Sequence, residues 1–134
     1  MRIPIYQIDA FTEEEFKGNP AAVCPLEKWL EDGLMQKIAK ENNLSETAFF
    51  TKKNDIYELR WFTPEEEIDF CGHATLAAAY TIFEYLDKNS NKISFNTKSG
   101  ILEVLKKDKL ITMIFPSRAG EKSEIPEELI RGLG

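Results

Sequence analysis

Residues 3–9 follow a two-residue period. Ile3, Ile5 and Gln7 fall on one face and Tyr6 and Ile8 on the other, which predicts a strand. Pro4 fits the start of that strand or a sheet edge. Residues 12–17 are polar and predict a loop, which runs into Gly18-Asn19-Pro20. Gly18 and Asn19 bring turn chemistry, and Pro20 pushes Asn19 away from helical backbone angles. The apolar run 21–24 predicts a short second strand. Over 27–42 the period changes. Leu30, Leu34 and Ile38 recur every four residues beside Trp29, with Glu31, Asp32, Lys37 and Lys40 on the solvent side, which predicts an amphipathic helix. Gly33 weakens its interior slightly, and Asn42-Asn43 ends it.

Residues 45–51, 56–63 and 92–97 predict further strands, the second with Tyr57, Leu59 and Trp61 alternating against Glu58, Arg60 and Phe62. Residues 101–105 and 110–115 predict a hairpin around Lys106-Lys107-Asp108-Lys109, with Ser99-Gly100 as the turn before it. Pro64 ends the strand before it, and the acidic run Glu65-Glu66-Glu67 reads as a solvated loop without partners.

The segment 72–86 has a different pattern. From Ala74 to Phe83 no charge appears on any side, and the polar atoms are those of Thr75, Tyr80 and Thr81. A surface helix needs a polar face. A stretch this short does not span a bilayer. The expectation is a helix buried inside protein, with six or seven short strands covering it. The fold class is therefore α+β, a curled mixed sheet, barrel-like, wrapped around a central apolar helix.

The tail turns polar at Ser117. Pro126 followed by Glu127-Glu128 then carries a helix-start signature, which reads as a new helix over 126–134 or, equally, as an extended C-terminal tail. The expected division is one domain over 1–116, then a linker and the start of a second domain over 117–134.

Composition narrows the function classes. The chain has 134 residues, 43% apolar and 30% charged, ordinary values for one globular domain. Seventeen Lys and Arg against 23 Asp and Glu give a formal net charge of −6 with no basic stripe, which speaks against nucleic acid. The pattern predicts no membrane partner either. The first nine residues show no signal-peptide core, and Cys24 and Cys71 lack metal spacing. Both read as cytosolic thiols, so a cytoplasmic location is expected.

Three segments carry candidate chemistry. In Asp69-Phe70-Cys71-Gly72-His73-Ala74-Thr75, a glycine turn feeds the start of the buried helix. The first N–H groups there lack intrahelical partners, the macrodipole favours an anion, and Gly72 lets a ligand approach the backbone. A small molecule bearing a carboxylate is the natural guest. His73, the only histidine, stands beside it; the same residues also read as a simple cap and turn. In Ser45-Glu46-Thr47-Ala48-Phe49-Phe50, Glu46 is set against aromatics, where desolvation tunes a carboxylate for acid–base work; an exposed strand start is the plainer alternative. Asn19 offers an amide to a ligand or to its own turn. Cys71 is a rival, since a thiol before a helix N-terminus is expected to be acidified and able to act as a base; a small buried filler is its alternative.

Taken together, Gly18-Asn19-Pro20-Ala21-Ala22-Val23, Asn43-Leu44-Ser45-Glu46-Thr47-Ala48-Phe49 and Asp69-Phe70-Cys71-Gly72-His73-Ala74-Thr75-Leu76-Ala77 resemble the phenazine-biosynthesis PhzF-like isomerase family, which shares the diaminopimelate epimerase fold. The resemblance covers the chain as that family's N-terminal half. It implies two similar domains, each a sheet around a central helix, with the active site between them. It also implies that Glu46 is the proton-shuttling glutamate, that His73 lies beside it, and that Gly72 and His73 offer N–H groups to a substrate carboxylate. Asn19 would line the cleft, and Cys71 would sit with the substrate-binding residues. The phenazine enzyme isomerises a dihydro-hydroxyanthranilate without metal or organic cofactor. The family's second half supplies the other wall, including an aspartate, so a homodimer or a separately encoded half is the implied partner. Two other readings stand beside this one. One is a catalytically incompetent half-domain that binds or self-associates, and the other is epimerisation with Cys71 as base.

Overall fold

The computed structural model describes residues 2–10, 19–108, 110–114, 122–126 and 131–133. Ten strands form one mixed sheet among them: β1 (Tyr6–Ala10), β2 (Asn19–Leu26), β3 (Glu46–Lys53), β4 (Ile56–Phe62), β5 (Glu67–Ile68), β6 (Lys92–Thr97), β7 (Gly100–Lys107), β8 (Leu110–Ile114), β9 (Lys122–Pro126) and β10 (Arg131–Leu133). The path across the sheet is β10-β1-β2-β3-β4-β6-β7-β8-β9, with β5 paired to β4. Two neighbouring pairs, β2 with β3 and β4 with β6, are parallel. A parallel pair needs a crossover, and each crossover here carries a helix. Helix α1 (Asp32–Asn42) joins β2 to β3, and α2 (Gly72–Thr81) lies between β4 and β6.

The two helices pack on opposite faces. Strand alternation sends Ala21, Val23, Ala48, Phe50, Leu59 and Trp61 to the α2 side. Cys24, Phe49 and Phe62 face the other way and meet Met35 and Ala39 of α1. Seven of the ten residues of α2 are buried: Ala74, Thr75, Leu76, Ala77, Ala78, Ala79 and Thr81. Side chains of β1, β2, β3, β4, β6, β7 and β8 all join its cluster, so this helix runs through the concavity of the sheet as its charge-free pattern predicts. Thr81 Oγ1 donates to the Ala77 carbonyl at 2.9 Å and Trp61 Nε1 donates to Thr75 Oγ1 at 3.1 Å, which satisfies polar atoms inside the core. Burying a Leu76, Ile82 or Phe83 side chain contributes about 1.5–3 kcal/mol.

The curl follows from chain connectivity. Nine strands laid flat would hold the outermost two roughly 38 Å apart at the usual strand spacing. Pro126 closes β9 on one edge and Arg131 opens β10 on the other, a separation the chain spans in at most about 18 Å. The edges must therefore bend toward each other around α2.

Several expectations change. The first helix starts at Asp32, with Met35 and Ala39 as its buried line, and Leu30 and Ile38 only flank it. Gly33 thus lies in the first turn, where it meets no neighbour and weakens little. The second helix ends in a π-helical turn, Ile82–Leu86, whose Tyr85 ring stacks on Tyr6 at 5.1 Å. The acidic run is not without partners. Glu67 accepts from Arg60 Nε at 2.7 Å and Nη2 at 2.8 Å and pairs with Lys98 at 3.1 Å, while Ile68 joins it in β5. Arg60 lies over the Trp29 and Phe62 rings, an arrangement a charge count cannot reveal. The helix expected from Pro126 onward is also corrected. Pro126 ends a strand against β8, and Arg131–Leu133 is a strand against β1. Non-local pairing overrides the local helix-start signal. The loop expected at 12–17 lies outside the described residues.

Candidate active site

The site begins where α1 ends. Asn43 adopts a left-handed conformation (φ 52°) and donates its N–H to the Ala39 carbonyl at 3.1 Å, which turns the chain out of the helix. Asn42 Nδ2 donates to Thr47 Oγ1 at 3.2 Å and holds the start of β3 against the helix end. Glu46 is the first residue of β3 and pairs with Ala21 in β2. Its side chain shares the face of Ala48 and Phe50, because strand residues two apart point the same way. That face is the one α2 occupies.

The second half of the site is the start of α2. Cys71 is its N-cap in extended conformation, and its carbonyl accepts from the Thr75 N–H at 3.1 Å and Thr75 Oγ1 at 2.7 Å. The Thr75–Trp61 bond thereby ties this turn to β4. No acidic residue occupies the first turn of α2, so its positive end is not neutralised from within the helix.

Glu46 and His73 meet there. His73 Nε2 lies 2.8 Å from Glu46 Oε2, and the two side chains are only 15% and 16% exposed. The approach is an electrostatic contact, off the line of a well-directed N–H···O bond. On the other side of the ring, Cys71 Sγ lies 3.4 Å from His73 Nδ1. One donor atom each from Glu46, Cys71 and His73 falls within 4.8 Å of the others, a spacing that would also admit a borderline ion such as zinc.

The expected acid thiol is corrected. Burial pushes the Cys71 thiol up to about 12; backbone N–H groups of Ala74 and His73 oppose that, and the Glu46 charge reinforces it. A helix N-terminus acidifies a thiol only where it outweighs desolvation, and here it does not. Cys24 is likewise buried and raised to about 12, as a packing residue against α1.

Gly72 lies in the same turn, and its missing Cβ would sit 3.6 Å from Met113 Cε and 3.7 Å from Phe70 Cε2. Packing therefore leaves ordinary room for a methyl group. The glycine is not required by the neighbouring side chains, so any closer constraint comes from what approaches its backbone. Phe70, 40% exposed, and Met113 border this turn; sequence reading passed over both, since an apolar residue at a loop or strand position carries no chemical signal. Asn19 is placed by its backbone as the first residue of β2, at the end of that strand nearer Glu46's partner Ala21, while its side chain and Gly18 lie outside the described residues.

An α+β half-barrel with an acid–imidazole pair at the start of its central helix defines a class that the comparisons narrow. The phenazine biosynthesis-like family model, PhzC-PhzF, matches residues 8–129, and the chain belongs to that family. An uncharacterized isomerase of Pseudomonas aeruginosa is 48% identical over 134 residues, covering 100% of this chain and 52% of that protein. A crystal structure of a phenazine biosynthesis protein of the PhzF family from Enterococcus faecalis has a TM-score of 0.81 at 56% identity, covering 84% of this chain and 44% of that one. A methylitaconate-delta-isomerase structure shares the fold alone, with a TM-score of 0.57 at 13% identity and coverage of 84% of this chain and 41% of that one. The chain spans about half the length of the curated relatives it matches. No helix among the described residues is long and apolar enough to cross a membrane.

Proposed function

We propose that this chain carries one wall of the active site of a cofactor-independent isomerase that moves a proton between carbons of a small conjugated carboxylate. The observation that carries the reading is the Glu46–His73 contact, held at the N-terminus of a buried helix and mostly withdrawn from water. An ionised Glu46 takes a proton from a carbon activated by conjugation. The C–H electron pair moves into the conjugated system toward the substrate carboxylate. N–H groups of the Gly72-His73 turn and the positive end of α2 stabilise the charge that accumulates there. Protonated Glu46 then delivers the proton to another carbon of the same system, which leaves the enzyme and the atom count unchanged. His73 holds the carboxyl group of Glu46 in place and touches the substrate's polar groups.

The reading includes a second wall. A further domain, from a continuing chain or a second polypeptide, closes the cleft over Glu46 and excludes water. Positioning between two walls supplies rate beyond the roughly 10²–10⁴-fold of acid–base catalysis. Incubation in D2O with small dienyl or enoyl carboxylates, followed by proton NMR of the substrate, tests the reading. Deuterium entering a carbon position is expected once the second wall is supplied. Absence of exchange across that substrate class in the completed assembly, with bound substrate demonstrated, overturns it.

A further inference from the structure

We propose that Ser99, in the turn between β6 and β7, is a positioning residue for the start of α2: its hydroxyl holds the Asp69 carbonyl and so fixes the segment that delivers Gly72 and His73 to the cleft. What that turn binds rests on the isomerase reading, in which Gly72 and His73 receive the substrate carboxylate. The need for an outside anchor is local. β5 is two residues long and pairs with β4 only through Trp61↔Ile68 and Phe62↔Glu67, shorter than the strands that usually hold a sheet edge. Asp69, Phe70 and Cys71 then carry the chain to Gly72 outside any strand or helix. Ser99 Oγ donates to the Asp69 carbonyl at 2.7 Å across 30 residues of sequence. One residue earlier in the same turn, Lys98 Nζ lies 3.1 Å from Glu67 Oε1, on the carboxylate that Arg60 also grips.

The turn that presents Ser99 is itself fixed. Gly100 has φ 100°, a backbone angle that favours glycine. Thr97 Oγ1 accepts from the Ser99 N–H at 3.0 Å and donates to the Gly100 carbonyl at 2.7 Å, so one hydroxyl ties both sides of Ser99. Sheet register sets the turn down beside β5. The β4–β6 ladder runs through Tyr57↔Phe95 and Glu58↔Asn96, and further along β4 the pairing partner is β5. From Asp69 the constraint passes to Phe70. That ring packs edge-on against Trp61 at 5.8 Å and lies 3.7 Å from the place a Cβ on Gly72 would take. Trp61 in turn donates to Thr75 in the first turn of α2. N–H groups aimed at a substrate carboxylate act only when held in place, so a small shift of Asp69 is felt at Gly72 and His73. Ser99 and Asp69 are both exposed, so water can replace their bond and its loss leaves the global fold nearly untouched.

The test needs no turnover, so its failure is separate from failure of the isomerase reading. Backbone nitrogen-15 NMR of the full chain follows the Gly72 and His73 amides, and hydrogen exchange follows the Thr75 N–H, which closes the first turn of α2 on the Cys71 carbonyl. Ser99→Ala is expected to shift the Gly72 and His73 amide signals and to speed exchange at Thr75 roughly fivefold, the worth of one such bond. Exchange in β3 and β4 and the melting temperature should stay at the parent values. Ser99→Thr keeps the hydroxyl and should restore the parent signals. Amide signals and Thr75 exchange in Ser99→Ala identical to the parent overturn the proposal. Faster exchange spread evenly over β3, β4 and α2 also overturns it, because Ser99 would then support the fold as a whole. A Ser99→Thr spectrum that matches Ser99→Ala does the same, since the hydroxyl would not be the acting group.

Discussion

Glu46 opens a strand and His73 stands in the first turn of a helix, 27 residues apart in the chain, and their side chains meet at 2.8 Å on the concave face of the sheet. The parallel pairing of β2 with β3 fixes the first residue, and the thread of α2 through the curl fixes the second. The contact places a carboxylate beside an imidazole and an unneutralised helix end, which is the local chemistry a proton shuttle on a carboxylate substrate needs.

Glu46→Gln keeps the shape of the side chain and removes its basicity. Turnover in the completed assembly is expected to fall by at least about 10²–10⁴-fold, with the circular dichroism spectrum and melting temperature close to those of the parent. Steady-state kinetics beside thermal melts checks this, and unchanged kcat would remove Glu46 from the mechanism.

Gly72→Ala adds a methyl group that fits at 3.6 Å from Met113 Cε, so the fold should tolerate it. If the substrate carboxylate approaches the backbone at this turn, KM rises roughly tenfold or more, a loss of about 1.4 kcal/mol, while the melting temperature stays put. A normal KM would put the carboxylate elsewhere.

Cys71 is a thiol raised to about 12 by burial, so it should resist alkylation. At pH 8 its reaction with iodoacetamide is expected to be about 10³-fold slower than that of an ordinary exposed cysteine, on thiolate fraction alone. Peptide mapping after timed labelling measures the rate; rapid labelling in folded protein would reinstate Cys71 as a candidate base.

The Arg60–Glu67 pair should make stability acid-sensitive. Hydrogen bonding from Arg60 holds the Glu67 carboxyl below its ordinary 4.5, with Lys98 adding to it. A folded value below the unfolded one means the contribution is complete above about 4.5 and is lost as pH falls through the folded value. Urea melts between pH 7 and pH 3 should show this loss. Arg60→Met is expected to cost about 1–3 kcal/mol at pH 7, since it leaves Glu67 at 17% exposure without its bidentate donor, and to flatten the acid slope.

The proton transfer proposed for Glu46 uses no bound ion. Treatment of the completed assembly with a chelator should leave turnover unchanged. Loss of activity restored by zinc or another divalent ion would instead give Glu46, Cys71 and His73, with donor atoms within 4.8 Å, the role of ligands.

Much of this was legible in the chain itself. The charge-free run from Ala74 to Phe83 requires burial on every side, and the strand alternation on either side of it requires a sheet to do the burying. Glu46, Gly72 and His73 stand out as residue types with chemistry at element starts, where backbone groups are unpaired. The short-range pattern specifies these features because period and capping are local properties. Tertiary structure alone decided the rest. Glu67 reads as one of three solvated acids until β4 brings Arg60 beside it and β5 forms. Pro126 reads as a helix start until its segment finds β8, because ladder bonds to a distant strand outweigh a local preference. Cys71 reads as a thiol at a helix N-terminus until the core closes over it, and desolvation then reverses the direction of its shift. Each reversal has the same physical cause: charge state and pairing depend on neighbours in space and on the water they displace, and these are set only when the sheet curls around its helix.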